Sequence, residues 1–156
     1  FFILGFNASK YLYSLSRSKL VIISFSILTN ILFSILNPLT ILKNKMEGIQ
    51  PKMVCISVPF PGNLYSAFRC AQFIKKKYPT IKIGMGGGFP NTELRSISDA
   101  RVFDFFDFIT LDDGELPIEI LHSNIFEVNS DLIHFKRTFL RENGKVVYNN
   151  SSTKKE

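Results

Sequence analysis

The chain has 156 residues, with 19 basic against 13 acidic side chains (formal net charge +6) and 46% hydrophobic residues. A single domain of that size and composition can bury a core, so wholesale disorder is excluded. Two cysteines, Cys55 and Cys70, cannot build a disulfide framework, and His122 and His134 lie far from zinc-ligand spacing, so no metal site is expected.

Residues 1–50 hold five basic side chains and one acidic one, whereas 51–156 are nearly balanced at fourteen and twelve. The tight basic run Lys75-Lys76-Lys77 falls at the end of a predicted helix, where cations complement the helix dipole. No basic stripe is interleaved with aromatic residues, so nucleic acid is not an expected partner. From Leu20 to Leu42 run 23 uncharged residues, a length that could cross a bilayer. Ser26, Asn30, Ser34 and Asn37 recur on one helical face, however, and a helix with a mildly polar stripe is better packed on a domain. The expectation is a helical N-terminal segment over residues 1–49, without a membrane span or signal peptide, in a cytoplasmic chain.

Beyond residue 50 the pattern becomes α/β. Lys52 to Val58 is a short apolar run of buried-strand type, stopped by the turn residues Pro59 to Asn63. Leu64, Ala67, Phe68, Ala71 and Ile74 have helical spacing, and Pro79 closes a helix that runs to Tyr78. Ile81 to Met85 predicts a second strand, Asn91 or Thr92 caps a short helix through Ile97, and Phe108 to Leu111 predicts a third strand. Pro117 marks the start of a further helix, from Ile118 to Leu121 or a little beyond. Alternating strands and helices imply an open parallel sheet covered on both faces. Asn143-Gly144 predicts a hairpin between Lys136–Leu140 and Lys145–Tyr148, for which the chain shows no partner strand.

In open parallel sheets ligands bind outside the carboxyl ends of the strands. Three loops map there: Ser57 to Asn63, Gly86 to Asn91, and Asp112 to Glu115. The triplet Gly86-Gly87-Gly88 either supplies a strand exit with positive φ or lets backbone approach a ligand; a single glycine would serve the first purpose, so three favour the second. The dinucleotide fingerprint fits poorly, because Phe89 fills the last glycine position and Pro90 interrupts the turn. Asp112, Asp113 and Glu115 could ligate a hard cation or act as acid and base, but solvation or helix capping is the more economical reading. Ser57 lacks a glycine-flanked elbow and a histidine partner, so it is expected to hydrogen-bond a ligand and not to attack one. Both cysteines are expected to be buried, and both histidines to lie at the surface.

Taken together, Ile56-Ser-Val-Pro-Phe-Pro-Gly-Asn-Leu64, Gly86-Gly-Gly-Phe-Pro-Asn-Thr-Glu-Leu-Arg95 and Asp112-Asp-Gly-Glu115 resemble the cobalamin-binding domain of radical S-adenosylmethionine proteins, over about residues 50–122. The resemblance implies an incomplete flavodoxin-like (Rossmann-like) domain over 50–125, with 126–156 a hairpin and linker toward a missing catalytic barrel. Ser57 would line the pocket of the cobalamin nucleotide tail, with Pro59, Phe60, Gly62 and Asn63 of the same loop bordering it. Gly86, Gly87 and Gly88 would let the tail's benzimidazole lie against backbone, and Asp113, Gly114 and Glu115 would border the rim, although Asp-Asp replaces the Gly-Glu of relatives.

The implied cofactor is cobalamin, joined in a full-length parent by a four-iron four-sulfur cluster and S-adenosylmethionine. The Cys-x-x-x-Cys-x-x-Cys ligands of that cluster are absent here, as is the cobalt-ligating Asp-x-His-x-x-Gly loop. The first strand and helix of the usual five-strand fold are not evident. The expectation is thus a module that positions cobalamin at the strand ends and has no catalytic residues of its own, with a radical S-adenosylmethionine barrel in cis as its partner. The alternative is a stand-alone α/β binding or regulatory domain for another nucleotide-like ligand. Valine at Gly87 is expected to exclude the ligand while leaving the fold largely intact.

Overall fold

The structure, a computed structural model, describes residues 20–24, 38–126 and 135–150. Among the described residues, six strands form one sheet in sequence order: β1 (Leu20–Ser24), β2 (Met53–Ser57), β3 (Lys82–Gly86), β4 (Phe108–Thr110), β5 (Thr138–Glu142) and β6 (Lys145–Asn149). The first four run parallel, and β5 and β6 join antiparallel. The helices are α1 (Pro38–Ile49), α2 (Leu64–Lys77), the short α3 (Gly88–Glu93) and α4 (Glu115–Phe126). The expected α/β architecture with a parallel sheet is therefore present.

Consecutive parallel strands joined by right-handed crossovers carry their helices on one face. Accordingly Leu42 and Met46 of α1, and Ala67, Cys70, Ala71 and Ile74 of α2, share a core with Val54, Ile56, Ile83, Met85 and Ile109. Phe68 of α2 meets Phe105 and Phe106 edge-on at 5.0 and 5.2 Å. The step from β4 to β5 is antiparallel and free of that rule, so α4 lies on the opposite face. There Ile118, Leu121 and Phe126 pack against Met53, Cys55 and Phe108. Asp107 ties β3 to β4: its carboxylate accepts the Ile83 N–H at 2.7 Å and pairs with Lys75 at 2.8 Å.

Several expectations need correction. Leu20–Ser24 is not the start of a helix but a strand that pairs with β2, Leu20 opposite Met53 and Ser24 opposite Ser57. Leu-Val-Ile-Ile is rich in β-branched residues, and an apolar run this short does not reveal its period until a neighbour pairs with it. Among the described residues a helix runs from Pro38 to Ile49, ending where Gln50, at φ 52°, donates its N–H to the Met46 carbonyl at 2.8 Å. Ser26, Asn30, Ser34 and Asn37 lie outside the described residues, as does His134. A parallel strand upstream of β2 is thus present within the chain. The hairpin also has a partner, since Ile109 pairs with Phe139 and Thr110 with Thr138. Among the described residues it extends the sheet from β4. Its turn has the expected form, with Asn143 and Gly144 both at positive φ, 50° and 76°. No helix among the described residues is long and apolar enough to cross a membrane.

Candidate functional site

Side chains alternate along a strand, so β3 sends Ile83 and Met85 to the α1–α2 face and leaves Gly84 and Gly86 on the α4 face. Cys55 and Ser57 of β2 flank this bare backbone in register on one side. Phe108 lies opposite Gly84 on the other, and Thr110 follows two residues along the same strand. The result is a slot floored by backbone, walled by Ser57 and Thr110, and roofed by the start of α4 at Gly114, Glu115 and Ile118. Its volume is about 230 Å³, and it lies at the carboxyl ends of the parallel strands.

Phe108 closes the deep end, since a Cβ on Gly84 would fall 2.1 Å from its ring. A Cβ on Gly86 would come 2.9 Å from the Thr110 hydroxyl. Thr110 is buried, and its hydroxyl donates only a long bond to the Met85 carbonyl, at 3.5 Å. Burial pushes the Cys55 thiol up to about 12, so it stays protonated and apolar in character. Asp112 and Glu115 stand at the mouth, with Asp112 paired to Arg95. The lining holds no histidine beside Ser57 or Thr110. Among the described residues no group of three or more His, Cys, Asp and Glu converges as a metal site. The arrangement suits binding of a flat, uncharged ring with hydrogen-bonding edges.

Of the residues singled out from sequence, the structure brings Ser57, Gly86, Gly87, Gly114 and Glu115 together around the slot. Pro59, Phe60, Gly62, Asn63, Gly88 and Asp113 are not on its wall. Phe60 points outward and is 54% exposed, whereas Asn63 is buried beneath the start of α2. Asp113 is exposed, and its carbonyl accepts from Arg137 at 3.4 Å. Gly87 and Gly88 answer to packing. Gly87 has φ 105°, and a Cβ there would lie 2.9 Å from the backbone N and O of Val58. One on Gly88 would lie 2.8 Å from the Pro59 carbonyl. Close approach of two loops, as much as a ligand surface, therefore explains the triplet. Valine at 87 would damage the fold as well as the slot, contrary to expectation.

Sequence reasoning missed Cys55, Gly84, Phe108, Thr110 and Ile118 on the lining. The available signal was the alternation Gly84-x-Gly86, which strips one face of a strand. The helix expected over Asn91–Ile97 instead spans Gly88–Glu93 with Gly87 at its N-cap. His122 is buried against Phe126, 5.0 Å between rings, because α4 runs on to Phe126 and turns it inward beside Leu121. Both cysteines are buried, as expected.

These features define an α/β domain with a slot at the ends of its parallel strands. No protein-family profile and no curated protein matches the chain. Among solved structures, the apo, selenomethionine-labelled form of OxsB, a cobalamin-dependent S-adenosylmethionine radical enzyme, matches with a TM-score of 0.54 at 22% identity. The match covers 72% of this chain and only 15% of OxsB. At that identity the likeness is one of fold.

Proposed function

We propose that this chain is a cobalamin-binding module and that its slot takes the nucleotide end of the cofactor. The observation that carries the reading is the backbone floor at Gly84 and Gly86, facing the start of α4 at the strand ends. A flat bicyclic ring would enter there edge-first, between the Ser57 and Thr110 hydroxyls and beside Ile118. At about 230 Å³ the slot is smaller than the roughly 300–1,000 Å³ of pockets that enclose a whole drug-sized ligand, so it would admit one ring system and leave the bulk of a large cofactor above the strand ends. The fold likeness to a cobalamin-dependent enzyme supports the same reading.

Bound cobalamin would supply the cobalt-centred chemistry, and the chain's own residues would bind, orient and shield it. Ser57 and Thr110 would hydrogen-bond the ring edges, Phe108 would set how deep the ring enters, and Cys55 would remain a neutral apolar wall. The reading extends to a parent radical enzyme whose iron–sulfur and S-adenosylmethionine site lies in a barrel domain in cis. In support, this chain corresponds to only 15% of OxsB.

The test is titration of the full chain with hydroxocobalamin, followed by visible absorbance after gel filtration, for the wild type and Gly114→Leu. A Cβ on Gly114 meets only ordinary contacts, 3.6 Å from Ile118 and 3.9 Å from Thr110, so leucine fills the slot without disturbing its walls. Retention by the wild type and its loss in the variant, at similar melting temperature, is the expected result. No retention by the wild type, or equal retention by both, overturns the assignment. Displacement of cobalamin by a simple nucleoside, with tighter binding of the latter, would favour a domain for another nucleotide-like ligand.

A further inference from the structure

The segment that brings Asp112, Gly114 and Glu115 to the wall of the slot has little regular structure before α4 begins. Asp112 stands at φ 57°, a left-handed conformation that aspartate tolerates but few residues adopt, and β4 has already ended at Thr110. Its backbone is satisfied from across the site. The Asp112 N–H donates to Asn91 Oδ1 at 2.5 Å, and Asn91 Nδ2 donates to the Asp112 carbonyl at 3.5 Å. One amide side chain thus engages both backbone groups of a residue 21 positions away, as a neighbouring strand would.

The anchor is itself held. Arg95 Nε donates to the Asn91 carbonyl at 2.6 Å while its guanidinium pairs with the Asp112 carboxylate. The Phe89 N–H donates to the Val58 carbonyl at 2.9 Å, fixing α3 to the exit of β2. On the far side of the wall, the Leu111 N–H donates to the Arg137 carbonyl at 2.8 Å.

We infer that Asn91 is a positioning residue for the slot: from α3 it holds the Asp112–Glu115 wall at the spacing from Gly86 that a flat ligand requires. The inference rests on reading the slot as a ligand site. The side chain of Asn91 joins the exit of β4 to a helix already bonded to the exit of β2, so all three strand ends move as one unit. Its loss lets the wall relax away from the backbone floor, and the ligand loses contacts that Asn91 itself never makes.

The experiment compares the full-length wild type, Asn91→Ala, Asn91→Asp and, as a distant control, Arg101→Ala. Amide hydrogen exchange is read at Asp112 and Met85, alongside hydroxocobalamin affinity and the urea midpoint. In Asn91→Ala the Asp112 amide should exchange about tenfold faster with Met85 unchanged, and affinity should fall about tenfold, as expected for one lost bond to an ordered wall. Asn91→Asp retains the acceptor for the Asp112 N–H and should recover most of both. Arg101→Ala should match the wild type in every readout.

Unchanged exchange at Asp112 overturns the inference, as does unchanged affinity with a deprotected Asp112 amide. Failure of aspartate to restore either quantity overturns it too. If the wild type retains no cobalamin, the ligand reading falls separately. The clamp is then decided by exchange alone, fast exchange in Asn91→Ala supporting it and slow exchange overturning it.

Discussion

Alanine at Gly87 should remove a large part of this domain's stability. The residue sits at φ 105°, ψ −171°, between β3 and α3, in a region essentially reserved for glycine. Holding an L-residue there costs about 1–3 kcal/mol. The added methyl would also stand 2.9 Å from the Val58 N, the Val58 O and the Ser57 Oγ, and two of those atoms are backbone that cannot swing aside. Over-packing of this kind costs a further ~1–3 kcal/mol. The combined loss, about 2–6 kcal/mol, compares with a typical domain stability of about 5–15 kcal/mol. With a urea m-value of about 2 kcal/mol/M, the unfolding midpoint should fall by roughly 1–3 M. The assay is urea unfolding followed by circular dichroism, with two companions. Gly144→Ala has strained φ, 76°, but open space, and should lose about 1 kcal/mol. Gly62→Ala has neither strain nor close neighbours and should be near neutral. A midpoint for Gly87→Ala equal to that of the wild type, or no lower than that of Gly144→Ala, would refute the close-approach argument.

Gly84→Ala should destabilise by about 1–3 kcal/mol because its methyl meets the Phe108 ring, and Phe108→Leu should relieve part of that loss; additive effects in a double-mutant cycle would show that the two residues do not share the space. Asp107→Ala should cost about 1–3 kcal/mol by leaving the Ile83 N–H and Lys75 without their partner, and a urea midpoint at the wild-type value would contradict that role. Burial pushes Cys55 up to about 12 and Cys70 up to about 11, with Arg69 opposing the shift at Cys70, while an unfolded thiol ionises near its ordinary 9.0. Only the unfolded state then sheds these protons, so stability should be full below about pH 9 and decline above it toward pH 11–12, and urea midpoints measured across that range should show the decline in the wild type but less of it in Cys55→Ala.

Much of this architecture follows from local pattern. Met53 to Ser57 is apolar and rich in branched side chains, Leu64 to Lys77 repeats its small and apolar residues at helical spacing, and Asn143-Gly144 dictates a tight turn. Those signals are carried by neighbouring residues, so they are legible one segment at a time. They also place the loops after β2, β3 and β4 at one end of a parallel sheet, which is enough to locate a candidate site. Other features depend on partners distant in the chain. Leu20 to Ser24 became a strand because β2 offers a parallel edge, and the hairpin became part of the sheet because β4 offers an antiparallel one. The slot itself required the register that sets Gly84 and Gly86 between Cys55 and Ser57 on one strand and Phe108 and Thr110 on the other. Asn91 gained its role only when Asp112 arrived beside it. Periodicity within a segment determines which face a residue occupies, but the residue opposite it is decided by backbone pairing and packing between strands, and those exist only once the sheet has formed.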